Sequence, residues 1–113
     1  MSTIDIRKAA GTWVVRSGGA VLGETTRALE LHEEGHDPVI YFPREDIAIA
    51  FLDPSDKVTT CPHKGAATYY SIVNKSSVTE NVVWSYEAPV ESLSQIKGYL
   101  AFQLSDSVKV EQI

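Results

Sequence analysis

The fold is decided by one stretch of the chain, KVTTCPHKGAATYYSIVNKSSVTENVVWSY, residues 57–86. Three segments in it are rich in valine, threonine, tyrosine and tryptophan, which favour β-strands. These segments are residues 57–61, 66–73 and 78–86. Between them, Pro62-His63-Lys64-Gly65 fits a four-residue hairpin loop, and residues 74–77 fit a second hairpin loop. The stretch therefore predicts a three-stranded antiparallel meander.

Side-chain alternation along this meander predicts two different faces. If neither strand bulges, Cys61 pairs with Ala66 and Ala67 pairs with Trp84. The face predicted to be core then holds Val58, Ala67, Tyr69, Val82, Trp84 and Tyr86. The other face is mixed in polarity and suited to line a cleft, and it holds Cys61, Thr68, Tyr70, Asn81 and Ser85.

Outside the meander, turn signals recur every eight to twelve residues, a spacing typical of β-sandwiches and barrels. Residues 47–52 fit either a strand or one helical turn. Ser92 is placed to cap one or two helical turns that end before Gly98. Residues 105–113 are predicted to form an edge strand or a tail. The prediction is an all-β, single compact domain of antiparallel sheets with one or two short helical turns.

Composition places the chain among ordinary globular proteins. Its 113 residues suit a single domain, with 43% hydrophobic and 22% charged residues. No apolar run is long enough to span a bilayer, and the first residues lack the apolar core of a signal peptide. One cysteine cannot form an internal disulfide, which fits a reducing compartment. We therefore expect a cytoplasmic protein without a membrane partner.

The charge distribution argues against nucleic acid as a partner. Ten basic residues stand against fifteen acidic ones, for a net charge of −5. The basic residues are scattered, whereas binding to a phosphate backbone needs a clustered basic surface. A single basic pocket for one small anion is compatible with this pattern. Nothing in the sequence indicates an oligomeric state.

The segment His32-Glu33-Glu34-Gly35-His36 matches the zinc-protease pattern H-E-x-x-H. That chemistry requires a helix, which turns both imidazoles toward one metal ion. Here Gly35 weakens a helix, Pro38 follows closely and the flanking residues favour strands. We therefore interpret the segment as a loop between two strands and expect no metal site.

Cys61-Pro62-His63-Lys64 admits two interpretations. Lys64 and a protonated His63 near the sulfur would favour a nucleophilic thiolate. Pro62, however, holds Cys61 extended at a strand end, and a single cysteine is commonly a small buried side chain. The structural interpretation is favoured, because no acid or orienting group is identifiable.

Lys64 and Arg44 are the candidate anion-binding residues. Lys64 beside Gly65 is not a P-loop, because the preceding glycine-rich run is absent, and no other cofactor motif is present. A lysine and backbone N–H groups at a hairpin turn can still hold an anion. We predict that Lys64 and Arg44 point into one shared cleft, with Asp46 as an acid that can lie between them. The alternative is that Arg44 pairs with Glu45, Asp46 or another neighbouring acid on the surface.

Four motifs together resemble a known family. They are PVIYFPRED (residues 38–46), TCPHKGAATY (60–69), VWSYEAP (83–89) and GYLAF (98–102). The chain resembles the family called domain of unknown function 427, mostly bacterial proteins sometimes labelled as nucleotidyltransferases. The resemblance implies a bent antiparallel fold, tent-like or barrel-like, with a cleft near the motif loops. It implies a site at Tyr41, Arg44, Asp46, Cys61, Lys64, Tyr69, Trp84 and Tyr86.

Three functions from different classes follow. The first is binding of a small anionic or nucleotide-like molecule in a polar, aromatic cleft. The second is an enzyme, of nucleotidyltransferase type, in which Lys64 and Arg44 stabilise negative charge and Asp46 or a tyrosine handles a proton. The third is a structural or interaction module without a small ligand. The sequence leaves open whether the protein is an enzyme.

Overall fold

The computed structural model describes residues 3–75 and 77–113. Within them lie ten strands and three short 3₁₀ helices. The strands are β1 (Ile4–Lys8), β2 (Trp13–Ser17), β3 (Ala20–Thr25), β4 (Leu29–Glu33), β5 (Val39–Tyr41), β6 (Leu52–Cys61), β7 (Gly65–Val73), β8 (Val78–Pro89), β9 (Leu100–Phe102) and β10 (Val108–Gln112). The 3₁₀ helices are Arg44–Asp46, Ile49–Phe51 and Glu91–Ile96. The hairpin loop predicted at residues 74–77 includes Ser76, which lies outside the described residues.

The strands form three antiparallel sheets, in the orders β1-β4-β5, β10-β2-β3 and β6-β7-β8-β9. This confirms the all-β prediction, and the sheets do not close into a barrel. The predicted meander is the third sheet, in which β6, β7 and β8 follow one another. Among the described residues, no helix has the length and apolarity needed to cross a membrane.

Two hydrophobic clusters fill the space between the sheets, and β5 contributes to both. Val39 and Tyr41 pack in one cluster with Leu31, Ala67 and Tyr86, whereas Ile40 and Phe42 pack in the other with Val15, Ile72 and Val83. Alternate side chains of a strand point to opposite faces, so this short segment separates the two clusters. Phe42 also meets Phe102 edge to face, with ring centroids 5.7 Å apart.

The register of the first hairpin corrects the sequence prediction. Cys61 pairs with Gly65 rather than Ala66, because the turn has three residues and the Lys64 N–H donates to the Cys61 carbonyl at 3.1 Å. A one-residue slip moves every side chain of a strand to the other face. Val58 therefore pairs with Thr68 and is exposed. Cys61 lies on the face of Ala67 and Tyr69, opposite to the prediction.

Along residues 68–70, the pairing of β7 with β8 is shifted by two residues from the prediction, whereas Ile72 pairs with Thr79 in the predicted register. Tyr69, and not Ala67, pairs with Trp84, and the ladder has two irregularities. An even shift leaves a side chain on its predicted face, and Ala67, Tyr69, Trp84 and Tyr86 share one face as expected. Val82, predicted on the same face, instead packs against the cluster of Val83 and Ile72. The cleft was predicted on the opposite, mixed face, but it is the face of Tyr69, Trp84 and Tyr86 that lines a cavity.

Near the other chain end, Leu93 and Ile96 of the last 3₁₀ helix are buried against β8. This helix covers the residues predicted to be helical, but Ser92 is not its cap. Val90 takes that position without a side-chain hydrogen bond. Residues Val108–Gln112 form β10, which pairs with β2.

The close approach of Gly65 to β8 predicts a measurable cost for an added methyl group. Gly65 has a φ of +117°, and a Cβ there would lie 3.1 Å from the Ala88 carbonyl oxygen. Gly35 also has a positive φ, +84°, but nothing lies within 4 Å of its added Cβ. We expect Gly35→Ala to lower the free energy of unfolding by about 1–2 kcal/mol, and Gly65→Ala to lower it further. Equal losses in urea unfolding would show that contact with Ala88 is unimportant.

Candidate functional site

A cavity of about 470 Å³ opens between strands β4–β5 and one face of the long meander. Five of the eight site residues inferred from the sequence line it, namely Tyr41, Lys64, Tyr69, Trp84 and Tyr86. The remaining lining residues are Leu31, Glu33, His36, Asp37, Val39, Lys57 and Gln103. We call this space the tyrosine cavity.

The aromatic walls of the tyrosine cavity follow from strand alternation. Tyr69 of β7 pairs directly with Trp84 of β8, and Tyr86 lies two residues farther along the same face. The Trp84 indole N–H donates a hydrogen bond to the Tyr41 hydroxyl at 3.2 Å, which ties β8 to β5. Backbone pairing thus places four aromatic side chains from three strands around one space.

Burial raises the pKa of two of these tyrosines, Tyr41 and Tyr86. Removal from water disfavours the phenolate and raises the pKa of Tyr41 to about 12. Burial likewise raises the pKa of Tyr86 above its ordinary value. Tyrosine is a neutral phenol near pH 7 with its ordinary pKa, and burial extends the neutral range of these two side chains to higher pH. They can offer hydroxyl donors to a ligand, but they are poor bases.

A salt bridge between Lys64 and Glu33 lies at the cavity wall. The Lys64 Nζ donates to Glu33 Oε1 at 2.6 Å, and only 16% and 12% of the two side chains are exposed. Lys64 comes from the β6–β7 turn and Glu33 from the end of β4, so the pair joins two sheets. The hydrogen bond from Lys64 lowers the pKa of Glu33 and keeps it ionised.

Glu33, Asp37 and Lys57 are charged cavity residues that sequence reasoning missed. Glu33 is the glutamate of the H-E-x-x-H match. It was considered there only as part of a zinc site, so its salt bridge with Lys64 was not predicted. The Lys57 Nζ lies 4.6 Å from the centroid of the Tyr69 ring, a cation–π arrangement. On the same hairpin, the Thr59 and Tyr69 hydroxyls share a hydrogen bond of 3.0 Å.

Cys61 is half-buried at the end of β6. The register correction puts it on the same face as Thr59, and its proximity contributes to the raised pKa of Tyr41 and of Tyr86. It is not among the described residues that line the tyrosine cavity. Its position against the buried tyrosines favours the structural interpretation.

Arg44 points to the opposite face of the meander, so the prediction that it shares a cleft with Lys64 is wrong. Its side chain lies 5.5 Å from the Tyr70 ring centroid, and Tyr70 alternates with Tyr69 across the sheet. The guanidinium donates to four groups, Gly98 O at 3.2 Å, Tyr70 Oη at 3.3 Å, Ser85 Oγ at 3.3 Å and Glu87 Oε1 at 2.6 Å. These bonds hold the first 3₁₀ helix against β7 and β8.

Asp46 does not line the tyrosine cavity either. Its carboxylate accepts hydrogen bonds from the Thr25 hydroxyl at 2.8 Å and from the Arg27 guanidinium at 3.0 Å. Arg27 also pairs with Glu45 at 3.1 Å. The predicted surface ion pair of Arg44 exists, but its partner is Glu87 rather than a residue of its own turn.

The segment predicted to be a loop between two strands, His32–His36, is a loop only from Glu34 onward, because His32 and Glu33 are the last residues of β4. His32 pairs with Glu30 at 2.5 Å, whereas His36 lines the tyrosine cavity. A strand directs His32 and Glu33 to opposite faces, so the zinc-protease geometry is not formed. Among residues 3–75 and 77–113, no group of three or more His, Cys, Asp or Glu residues could hold a metal ion.

The buried tyrosines predict a loss of stability at high pH. Unfolded tyrosine ionises near pH 10, whereas folded Tyr41 ionises near pH 12. Unfolding therefore releases protons in this window, and stability falls as the pH rises from about 10 to about 12. Tyr41→Phe should show a shallower fall in urea midpoint over this window. An unchanged slope would contradict the assigned burial effect.

Comparison with known proteins gives one positive result. No curated protein matches the chain. The model of one family, described as a domain of unknown function (DUF427), matches residues 5–113 and confirms the family resemblance of the motifs. Because the match covers nearly the whole chain, this protein belongs to the DUF427 family.

Proposed function

We propose that the protein binds a small organic anion with a planar ring, of nucleotide-like character, in the tyrosine cavity. The observation that carries the proposal is the meeting of four aromatic walls and two lysines in a space of about 470 Å³. Small-molecule sites commonly have volumes of about 300–1,000 Å³ and combine apolar walls with a few polar groups.

The aromatic walls suit a flat ligand. Rings of Tyr69, Trp84 and Tyr86 provide broad apolar surfaces, and aromatic rings prefer offset-stacked or edge-to-face contacts. The hydroxyls of Tyr41 and Tyr86 are neutral near pH 7, as tyrosine hydroxyls ordinarily are, so they can donate hydrogen bonds to an anion. The walls therefore favour a ring that carries hydrogen-bond acceptors.

The two lysines supply the positive charge. An ammonium group has three N–H donors, and the Lys64 ammonium uses one of them to bond Glu33. Lys57, on the neighbouring strand, extends its ammonium over the Tyr69 ring at the same cavity. The cavity lining also holds the acids Glu33 and Asp37, and Lys64 already neutralises Glu33, so Lys57 is the cation on which the attraction of an anion mainly depends. Glu33 adds an acceptor for an N–H or O–H of the ligand.

An enzyme is the second candidate, and the Lys64–Glu33 pair is the observation that favours it. A cation and a carboxylate held in a largely buried position can stabilise developing charge in a reaction. A reaction in which Arg44 acts beside Lys64 does not fit this geometry. Arg44 hydrogen-bonds to Tyr70 on the other face of the meander, and Asp46 hydrogen-bonds to Thr25. Release of pyrophosphate from a nucleoside triphosphate, dependent on Glu33 and Lys64, would support this candidate.

Binding can be tested with adenosine monophosphate as the probe. At a hundred times its dissociation constant a ligand adds roughly 2.7 kcal/mol of stability, which corresponds to a melting shift on the order of 10 °C for a domain of this size. The Trp84 indole N–H signal in a ¹⁵N-correlated NMR spectrum should move on titration, because this group lies in the cavity wall. If this probe and a panel of nucleotides and organic anions leave the signal unmoved, the interaction-module alternative gains.

Variants of the cavity separate binding from folding. Lys57→Ala should weaken probe binding several-fold, whereas Lys97→Ala, an exposed lysine away from the cavity, should have no effect. Lys64→Met alone leaves the Glu33 carboxylate without its partner, which destabilises the fold. The paired change Glu33→Gln with Lys64→Met therefore removes the ion pair without leaving either of its charges unpaired, while Lys57 remains in the cavity.

Arg44→Met distinguishes the two faces of the meander. It should lower the melting temperature, because it removes the bonds to Tyr70, Ser85 and Glu87, but it should leave the dissociation constant unchanged. Loss of probe binding in the folded Arg44 variant, with full binding in the Lys57 variant, would overturn the assignment of the site.

A further inference from the structure

A second cavity of about 380 Å³ adjoins the tyrosine cavity and differs from it in chemistry. Its walls are mainly apolar and come from Trp13, Ile40, Trp84, Phe102, Leu104 and Val110. We call it the apolar cavity. Leu104 is 61% exposed in spite of its apolar side chain. A single exposed apolar side chain is common, but contiguous apolar surface such as this lining often marks a binding site.

The two cavities share a wall. Asp37, Val39 and Trp84 line both of them. Two consecutive residues also lie one in each cavity: Gln103 lines the tyrosine cavity, and Leu104 lines the apolar cavity. A single molecule that passes Trp84 can therefore occupy both spaces.

The charged residues that line the two cavities determine which end of a ligand would lie in each. The tyrosine cavity is lined by the cations Lys57 and Lys64 together with the acids Glu33 and Asp37, whereas the charged residues among the described lining of the apolar cavity are the acids Glu30 and Asp37. An anionic group therefore finds cationic partners in the first space, where Lys64 already neutralises Glu33, and is repelled by the acids of the second. An apolar group gains most from the second, since each buried methylene contributes about 0.8 kcal/mol.

We infer that the ligand is an amphiphile, with its anionic, ring-bearing head in the tyrosine cavity and an apolar tail in the apolar cavity. This inference rests on the proposed function and extends it to the class of ligand. The head is held by Lys57, Lys64 and the phenol hydroxyls, and the tail lies against Trp13, Ile40 and Leu104. Trp84 stands between the two parts.

The two tryptophans of the chain provide separate reporters. Trp84 lies in the shared wall, and Trp13 belongs to the apolar cavity alone. Phenyl phosphate should move the Trp84 indole signal and leave that of Trp13 in place. With 4-butylphenyl phosphate, both signals should move.

Affinity gives the second readout. Each buried methylene should tighten the dissociation constant about fourfold, so a fully buried butyl group should tighten it on the order of 100-fold relative to phenyl phosphate. Leu104→Asp should remove most of this gain and leave phenyl phosphate binding unchanged. Val21→Asp, a change at an exposed apolar residue of β3, should leave the gain intact and serves as the matched control.

The outcomes separate this inference from the proposed function. If the butyl group brings no gain and Trp13 does not respond, the tail inference is wrong and the head site stands. If neither phosphate moves Trp84, the proposed function itself fails. If 4-butylbenzylamine binds as tightly as the phosphate, the anion preference is wrong. If the free protein is a dimer that Leu104→Asp dissociates, a second copy covers the apolar cavity and the inference is overturned.

Discussion

The backbone pairing of β7 with β8 is the constraint on which the rest of the structure depends. It places Tyr69 opposite Trp84 and, one residue on, Tyr70 opposite Val83. Because neighbouring side chains of a strand leave opposite faces of the sheet, the pairing creates two environments from one ribbon. One face carries the aromatic walls of the tyrosine cavity. The other packs Val83 and Ile72 into the larger hydrophobic cluster and receives Arg44.

The Lys64–Glu33 pair shows how a charged contact can define a site without adding much stability. Both side chains lie largely out of water, so the cost of desolvation offsets much of their attraction. What the pair does is positional, because it joins the β6–β7 turn to the end of β4 across two sheets. The turn is thereby held beside the tyrosines, and loss of either partner would leave a charge without compensation.

The cations on the two faces of the meander differ in how many of their N–H donors remain for a ligand. Arg44 donates to four acceptors from β7, β8 and the loop before β9, which uses most of its donors. Such a residue fastens a 3₁₀ helix to a sheet. Lys64 bonds one carboxylate and Lys57 lies over a ring, so both retain donors for a ligand. This difference in the hydrogen-bond donors that remain, rather than the number of charges, supports our proposal that a ligand binds on the tyrosine face.

The sequence by itself determined the meander and the common face of Ala67, Tyr69, Trp84 and Tyr86, because residue type and alternation are local properties of a strand. The family was also readable from the sequence, and five of the eight site residues that the resemblance implied line the tyrosine cavity. Only the tertiary structure decided the partners of Lys64, the face of Cys61 and the separation of Arg44 from the cavity. A turn shorter by one residue reverses a whole strand, and contacts between β4 and a distant turn depend on how sheets pack, which no local pattern encodes.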